Sequence, residues 1–206
     1  MKTVVFAGTK GGAGKTTLAF NVAIEAAKTE SVFLADMDPQ RSLETFAERR
    51  PGDNPALIRD VKSLKQTVSD LKKTGEGRAY LIVDSPGSFM KIVRDAISAA
   101  DCVVVPVRPS PLDILASEDI TPILNELGKM AVTVPVINCV DTRTSHKDLI
   151  ERIGEMFTRK PMLIRNRFAF ARALIGSLAG FEIDRNCEPE IVSLWHQIKT
   201  VTRTSS

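Results

Sequence analysis

Residues 9 to 17 read Thr9-Lys10-Gly11-Gly12-Ala13-Gly14-Lys15-Thr16-Thr17, a string suited to holding phosphate. Glycines at this density let successive backbone N–H groups converge on anionic oxygens with no side chain between. Lys15 offers a point charge to the β and γ phosphates of a nucleoside triphosphate, and the Thr16 hydroxyl offers a ligand for Mg²⁺. A helix beginning at Lys15 would aim its N-terminal dipole at the same anion. The cradle therefore runs from Lys10 to Thr17, with Thr9 where the usual signature has its first glycine. Lys10 is the unusual member, because a phosphate loop of this kind needs only the second lysine. Either it is a solvated loop lysine, or it reaches out of its own loop to the triphosphate of a partner subunit.

Carboxylates follow at two places. Asp36-Met37-Asp38-Pro39-Gln40 ends an apolar run, and acids two apart at a strand end face one way, toward the crevice where α/β sheets bind ligands. Either Asp36 or Asp38 could orient an attacking water or hold the water shell of Mg²⁺; helix capping is the alternative for both. Tyr80-Leu81-Ile82-Val83-Asp84 is an apolar strand ending in one acid, which places Asp84 to hold Mg²⁺ through water. Ser85-Pro86-Gly87 then makes a turn able to sense the γ-phosphate.

The elements that must position these groups are legible as alternating short β-branched runs and helix-period stretches. Strands are expected at Thr3–Ala7, Ser31–Asp36, Ala56–Asp60, Ala79–Asp84, Asp101–Val107, Thr133–Val140 and Met162–Ile164. Helices are expected at Lys15–Lys28, Ser42–Arg49, Ser63–Lys73, Met90–Ala99, Pro111–Lys129, Lys147–Phe157, Ala169–Leu178 and Pro189–Val201. Breakers fall between them, at Pro51-Gly52, Gly75-Glu76-Gly77, Ser85-Pro86-Gly87 and Pro109-Ser110-Pro111. Unbroken apolar runs such as Val103-Val104-Val105 mark central strands of a sheet covered on both faces. The expected fold is α/β: a doubly wound, mostly parallel sheet of about seven strands flanked by helices.

The chain has 206 residues, 43% hydrophobic and 26% charged, which suits one globular domain with a frayed tail at Thr202–Ser206. Its longest apolar runs are too short to cross a bilayer, and the lead into the first strand is too short for a secretory segment, so a cytoplasmic protein is expected. Cys102, Cys139 and Cys187 are widely spaced, with no pairing that suggests zinc or an iron–sulfur cluster. A net charge of +3 does not by itself announce nucleic-acid binding.

Residues 10 to 16 resemble the deviant Walker A ATPases, the ParA/MinD family, whose pattern is Lys-Gly-Gly-x-x-Lys-Ser/Thr. The resemblance implies that Lys10 crosses the interface of an ATP-sandwich homodimer. The Asp-x-Asp-Pro-Gln string resembles the family's second motif, which implies that Asp38 positions and activates the water while Asp36 supports the Mg²⁺ shell. In relatives an asparagine near the sixth strand's end and a nearby proline-containing loop contact adenine, which points to Asn138 and Pro109. Asp141-Thr142-Arg143 is similar to the family's Asp-x-Arg element.

Cluster cysteines of the iron-protein branch are missing, and no substrate motif of a dethiobiotin- or cobyrinate-type ligase is found. A MinD-like membrane anchor would be a C-terminal amphipathic helix. The stripe Ile191, Leu194, Trp195, Ile198 and Val201 is one, but without a flanking lysine cluster it reads as a helix docking on its own domain. Arg159, Lys160, Arg165, Arg167 and Arg172 span a segment with no acid, a candidate surface for DNA contact by counterion release; ordinary ion pairing is the alternative. Arg165-Asn166-Arg167-Phe168-Ala169 resembles the family's basic segment, and with no helix-turn-helix ahead of the first strand the nearest class is the short, ParF-like plasmid partition ATPase. The resemblance thus implies a DNA partition ATPase that binds DNA non-specifically at the nucleoid, with a ParB-type centromere-binding partner and no membrane attachment.

Overall fold

In the computed structural model, which describes residues 1–73 and 78–204, the apolar runs become strands β1 (Lys2–Phe6), β2 (Ser31–Asp36), β3 (Ala56–Ile58), β4 (Ala79–Asp84), β5 (Cys102–Val107), β6 (Thr133–Val140) and β7 (Met162–Arg165). They form one sheet in the order β3-β2-β4-β1-β5-β6-β7, with every pairing parallel. The strands with no polar alternation, β4 and β5, are buried along their whole length on either side of β1. The Gly75-Glu76-Gly77 turn lies outside the described residues.

The helices are α1 (Lys15–Ala27), α2 (Ser42–Arg49), α3 (Leu64–Lys73), α4 (Met90–Ala99), α5 (Pro111–Glu118), α6 (Thr121–Glu126), α7 (Lys147–Met156), α8 (Phe168–Ile175), α9 (Gly180–Ile183) and α10 (Glu188–Thr204). Strand side chains alternate between faces. Val4, Phe6, Val32, Leu34 and Ile82 join α1, α2, α8 and α10 in one core, while Val5, Leu81, Val83, Val103 and Val105 join α3, α4, α6 and α7 in the other. Because β1 sends α1 to one face while its neighbours β4 and β5 send their helices to the other, a crevice opens at the C-terminal ends of these strands.

Three local expectations are corrected. The single helix expected over Pro111–Lys129 is broken into α5 and α6, because Pro122 has no N–H to give and its ring collides with the preceding turn. The expected frayed tail is ordered as far as Thr204: α10 continues past Val201, with Thr202 buried and its hydroxyl donating to the Lys199 carbonyl at 3.1 Å. A further short helix, α9, follows α8, which stops at Gly176 rather than running to Leu178.

The amphipathic stripe of α10 packs inward. Ile191, Leu194, Trp195, Ile198 and Val201 are each at most 2% exposed, and Trp195 meets Tyr80 edge-on with ring centroids 4.7 Å apart. Burying each such side chain contributes about 1.5–3 kcal/mol, so the helix is held by its own domain. Among the described residues no helix is long and apolar enough to cross a membrane.

Candidate nucleotide site

The loop between β1 and α1 is shaped by two glycines in the left-handed region, Gly12 (φ 77°) and Gly14 (φ 96°), before α1 begins with Leu18 N–H donating to the Gly14 carbonyl at 2.9 Å. Gly14 has a second reason to lack a side chain: an added Cβ would stand 2.1 Å from Asn138 Nδ2. That carboxamide is buried and donates to the Ala13 carbonyl at 2.9 Å, tying the end of β6 to the loop. A bulge between Asn138 and Val140, with Cys139 at φ 64°, marks where β6 departs from regular pairing beside this contact. The Lys15 ammonium is buried and donates to the Lys10 carbonyl at 3.0 Å. Burial pulls its pKa down, and Asp84 and Asp38 oppose that pull.

Asp84, at the end of β4, is 1% exposed and accepts from the Thr16 hydroxyl at 2.5 Å through Oδ2. Its Oδ1 has no hydrogen-bond partner among the described residues. Burial pushes its pKa up to about 7, with Thr16 and Lys15 acting against the shift and Asp36 and Asp38 adding to it. A buried carboxylate with a free oxygen beside a threonine hydroxyl suits a hard cation such as Mg²⁺. Among the described residues no group of three or more acids, histidines or cysteines would enclose a metal without further ligands. The cation would therefore share its shell with phosphate oxygens and water.

Asp36 and Asp38 part company. Asp38 lines a cavity of about 560 Å³ together with Gly11, Gly12, Gly14, Lys15, Thr16 and Thr17. Asp36 lines only a neighbouring hollow, which Asp38 also borders. Both Asp36 oxygens are taken by backbone: Oδ1 accepts from Asp38 N–H at 2.9 Å and Oδ2 from Glu44 N–H at 3.1 Å, in the first turn of α2. Of the two readings open for Asp36, capping is the one its hydrogen bonds satisfy. Burial still raises its pKa, against hydrogen bonds from Glu44, Asp38 and Leu43.

The Ser85-Pro86-Gly87 turn lies directly on the phosphate loop. A Cβ on Gly87 would stand 2.8 Å from the Gly11 nitrogen and 2.9 Å from the Lys10 carbonyl carbon, so only glycine allows that approach. Lys10 itself is not among the lining residues of the cavity; its ammonium pairs with Asp113 of α5 at 2.8 Å.

The far rim departs most from the sequence reading. Arg108 lines the cavity, and Pro109 does not. Arg165, Asn166 and Arg167, on the segment leaving β7, line it too. Glu190 of α10 neutralises part of this segment: it accepts from Arg165 N–H at 2.9 Å and from the Arg167 guanidinium at 3.1 Å. The five cations expected on one basic surface are not brought together. Arg159 and Lys160 precede β7 and lie at the N-terminal end of the strands, where Arg159 donates to the Ala131 carbonyl at 2.9 Å, whereas Arg165 and Arg167 follow β7 at the cavity and Arg172 is exposed on α8. Asp141 and Arg143 pair with each other at 2.7 Å beside this rim, which holds the Asp141 carboxyl at about 2. Of the lining residues not anticipated, Arg108 carried a readable signal, its place just past the end of a strand. Asn166 and Phe170 carried none.

A parallel doubly wound sheet with a phosphate loop after its first strand and a buried acid on the adjacent strand defines a P-loop nucleotide-binding protein. Residues 4–175 match the CobQ/CobB/MinD/ParA nucleotide binding domain, and the chain belongs to that family of P-loop ATPases. It is 39% identical to Protein ParA of Rhizobium radiobacter over 116 residues, a match spanning 55% of this chain and 51% of that protein. It is 26% identical over 211 residues to the maintenance of carboxysome distribution protein A of Halothiobacillus neapolitanus, covering 95% of each. Its fold is that of the MinD cell division protein of Aquifex aeolicus, with a TM-score of 0.78 at 20% identity over 97% of this chain and 98% of that one.

Proposed function

We propose that this chain is a ParA-type segregation ATPase acting as a single domain in the cytoplasm, on the nucleoid. ATP binds with its phosphates in the 10–17 loop. Lys15 and the loop amides hold the β and γ phosphates, while Thr16 and Asp84 would hold Mg²⁺, which would supply positive charge beside the phosphates. Asp38, at the wall between the two hollows, orients the attacking water, and Asp36 shapes the turn that presents it. Asn138 stands between the base and the loop. Two subunits close face to face over the nucleotides, with Lys10 of each serving the other. The paired form binds DNA without sequence preference through Arg165, Arg167 and Arg172. Slow hydrolysis, accelerated by a centromere-bound ParB-type protein, opens the pair and releases DNA.

The observation that supports this reading above the others is Lys10. It opens the phosphate loop, yet its ammonium lies outside the cavity that Lys15 enters. A lysine so placed, with its ammonium half exposed, is within reach of a second copy's nucleotide.

Co-sedimentation tests the reading. With ATP the protein is expected to pellet with plasmid DNA, and an Arg165→Glu/Arg167→Glu variant to stay in the supernatant while still forming dimers. Pelleting with anionic liposomes instead would support a MinD-like positioning ATPase. Binding to neither would support a ligase of the dethiobiotin or cobyrinate type.

A further inference from the structure

We propose that Asp113 is the resting counter-ion of Lys10 and that this pair must part before Lys10 can serve a partner subunit, so Asp113 sets the nucleotide level at which two copies pair. The inference rests on the pairing reading above and adds to it the residue that restrains it.

The contact is asymmetric. Lys10 Nζ lies 2.8 Å from Asp113 Oδ1; the lysine side chain is 45% exposed and that of the aspartate 15%. Asp113 is held in place as the third residue of α5, where its N–H donates to Ser110 Oγ at 3.2 Å and its second carboxylate oxygen meets the same hydroxyl. A further bond, from the Thr9 hydroxyl to the Ala116 carbonyl at 2.5 Å, fixes α5 to the start of the phosphate loop. The acceptor is therefore rigid, and the lysine, with its head half in water, is the member free to leave.

An ion pair this open is weak and reversible, which suits a restraint better than a strut. A partner's triphosphate carries more negative charge than one carboxylate, so it can draw Lys10 away once nucleotide is bound. The same helix exposes Leu112 and Leu115, 71% and 59% accessible. Covering those side chains with a second copy would repay the loss of the intramolecular pair.

The test is sedimentation velocity at fixed protein concentration, titrating a non-hydrolysable ATP analogue with Mg²⁺. Asp113→Asn keeps the shape and removes the charge. It should lower the analogue concentration for half-maximal pairing about two- to fivefold, the effect of losing one exposed ion pair. Analogue affinity of the dilute monomer should stay unchanged. Asp113→Glu should restore the wild-type half-point, and Lys10→Ala should abolish pairing with or without the Asn. An unmoved or raised half-point in Asp113→Asn, with the wild type pairing normally, overturns the restraint alone. A wild type that stays monomeric at saturating analogue overturns the pairing reading, and the restraint with it.

Discussion

The two ends of the nucleotide cavity are built on different principles. At the phosphate end the groups are buried and mutually dependent. Lys15 holds the loop's own carbonyl, Thr16 holds Asp84, Asn138 holds Ala13, and two glycines leave room that nothing else could leave. At the far rim Arg108 and Arg165 are exposed, and the acid that steadies Arg165 and Arg167 comes from the last helix, α10. Substitutions should therefore break the first end and only tune the second.

Lys15→Ala gives the largest effect. Removing a charged donor aimed at phosphate should weaken Mg·ATP binding about 100-fold by isothermal titration calorimetry. Near-normal affinity would mean that the buried end is not where phosphate sits.

Gly14→Ala comes next. Its methyl meets Asn138 Nδ2 at 2.1 Å on a backbone with φ 96°, so stability should fall by about 1–3 kcal/mol and nucleotide affinity about tenfold. Adding Asn138→Ala should recover the part due to the clash but not the part due to φ. No recovery would show that the two residues do not press on each other.

Asp84→Asn should move stability and function in opposite directions. The Asp84 carboxyl is raised from 3.8 to about 7 by burial, so above pH 7 the folded chain carries a carboxylate that the unfolded chain would ionise more readily. The resulting destabilisation is fully present above the folded value and fades as pH falls toward the unfolded one. The Asn variant without nucleotide should gain about 1–3 kcal/mol at pH 8, a rise of a few degrees in Tm, and lose that gain near pH 4. Its ATP binding should no longer respond to Mg²⁺. An unchanged Tm at pH 8 would show that water already relieves the buried charge.

The smallest effect belongs to the rim. Glu190→Gln frees Arg165 and Arg167 from their acid and should carry DNA retention to modestly higher salt, a change of about 1 kcal/mol or less. Retention at the same salt would place DNA contact away from these arginines.

This division also explains what the sequence could reveal. The phosphate end is local: Lys10 to Thr17 is one continuous string, and Asp84 closes an apolar strand that parallel pairing sets beside β1. Most strands were readable within a residue or two because both faces of the sheet are buried and the runs lack polar interruption. What escaped depends on distance along the chain. Glu190 reaches Arg167 across 23 residues, Asn138 reaches Ala13 across 125, and Asp113 meets Lys10 from another loop. Asp36 and Asp38 part company for a subtler reason. Period-two alternation holds only while the strand lasts, and β2 ends at Asp36, so Asp38 sits on a turn and faces elsewhere. The five-cation segment is divided because β7 runs through its middle and carries its two flanks to opposite ends of the strands.

The placement of Trp195 has a practical consequence. It is the chain's single tryptophan, and it is buried on α10 against Tyr80, on a different element from any that lines the cavity. Its emission should be blue-shifted in the native protein and redden only when the last helix peels away. The molecule thus carries a built-in optical gauge of its scaffold, one that stays quiet while ligand comes and goes.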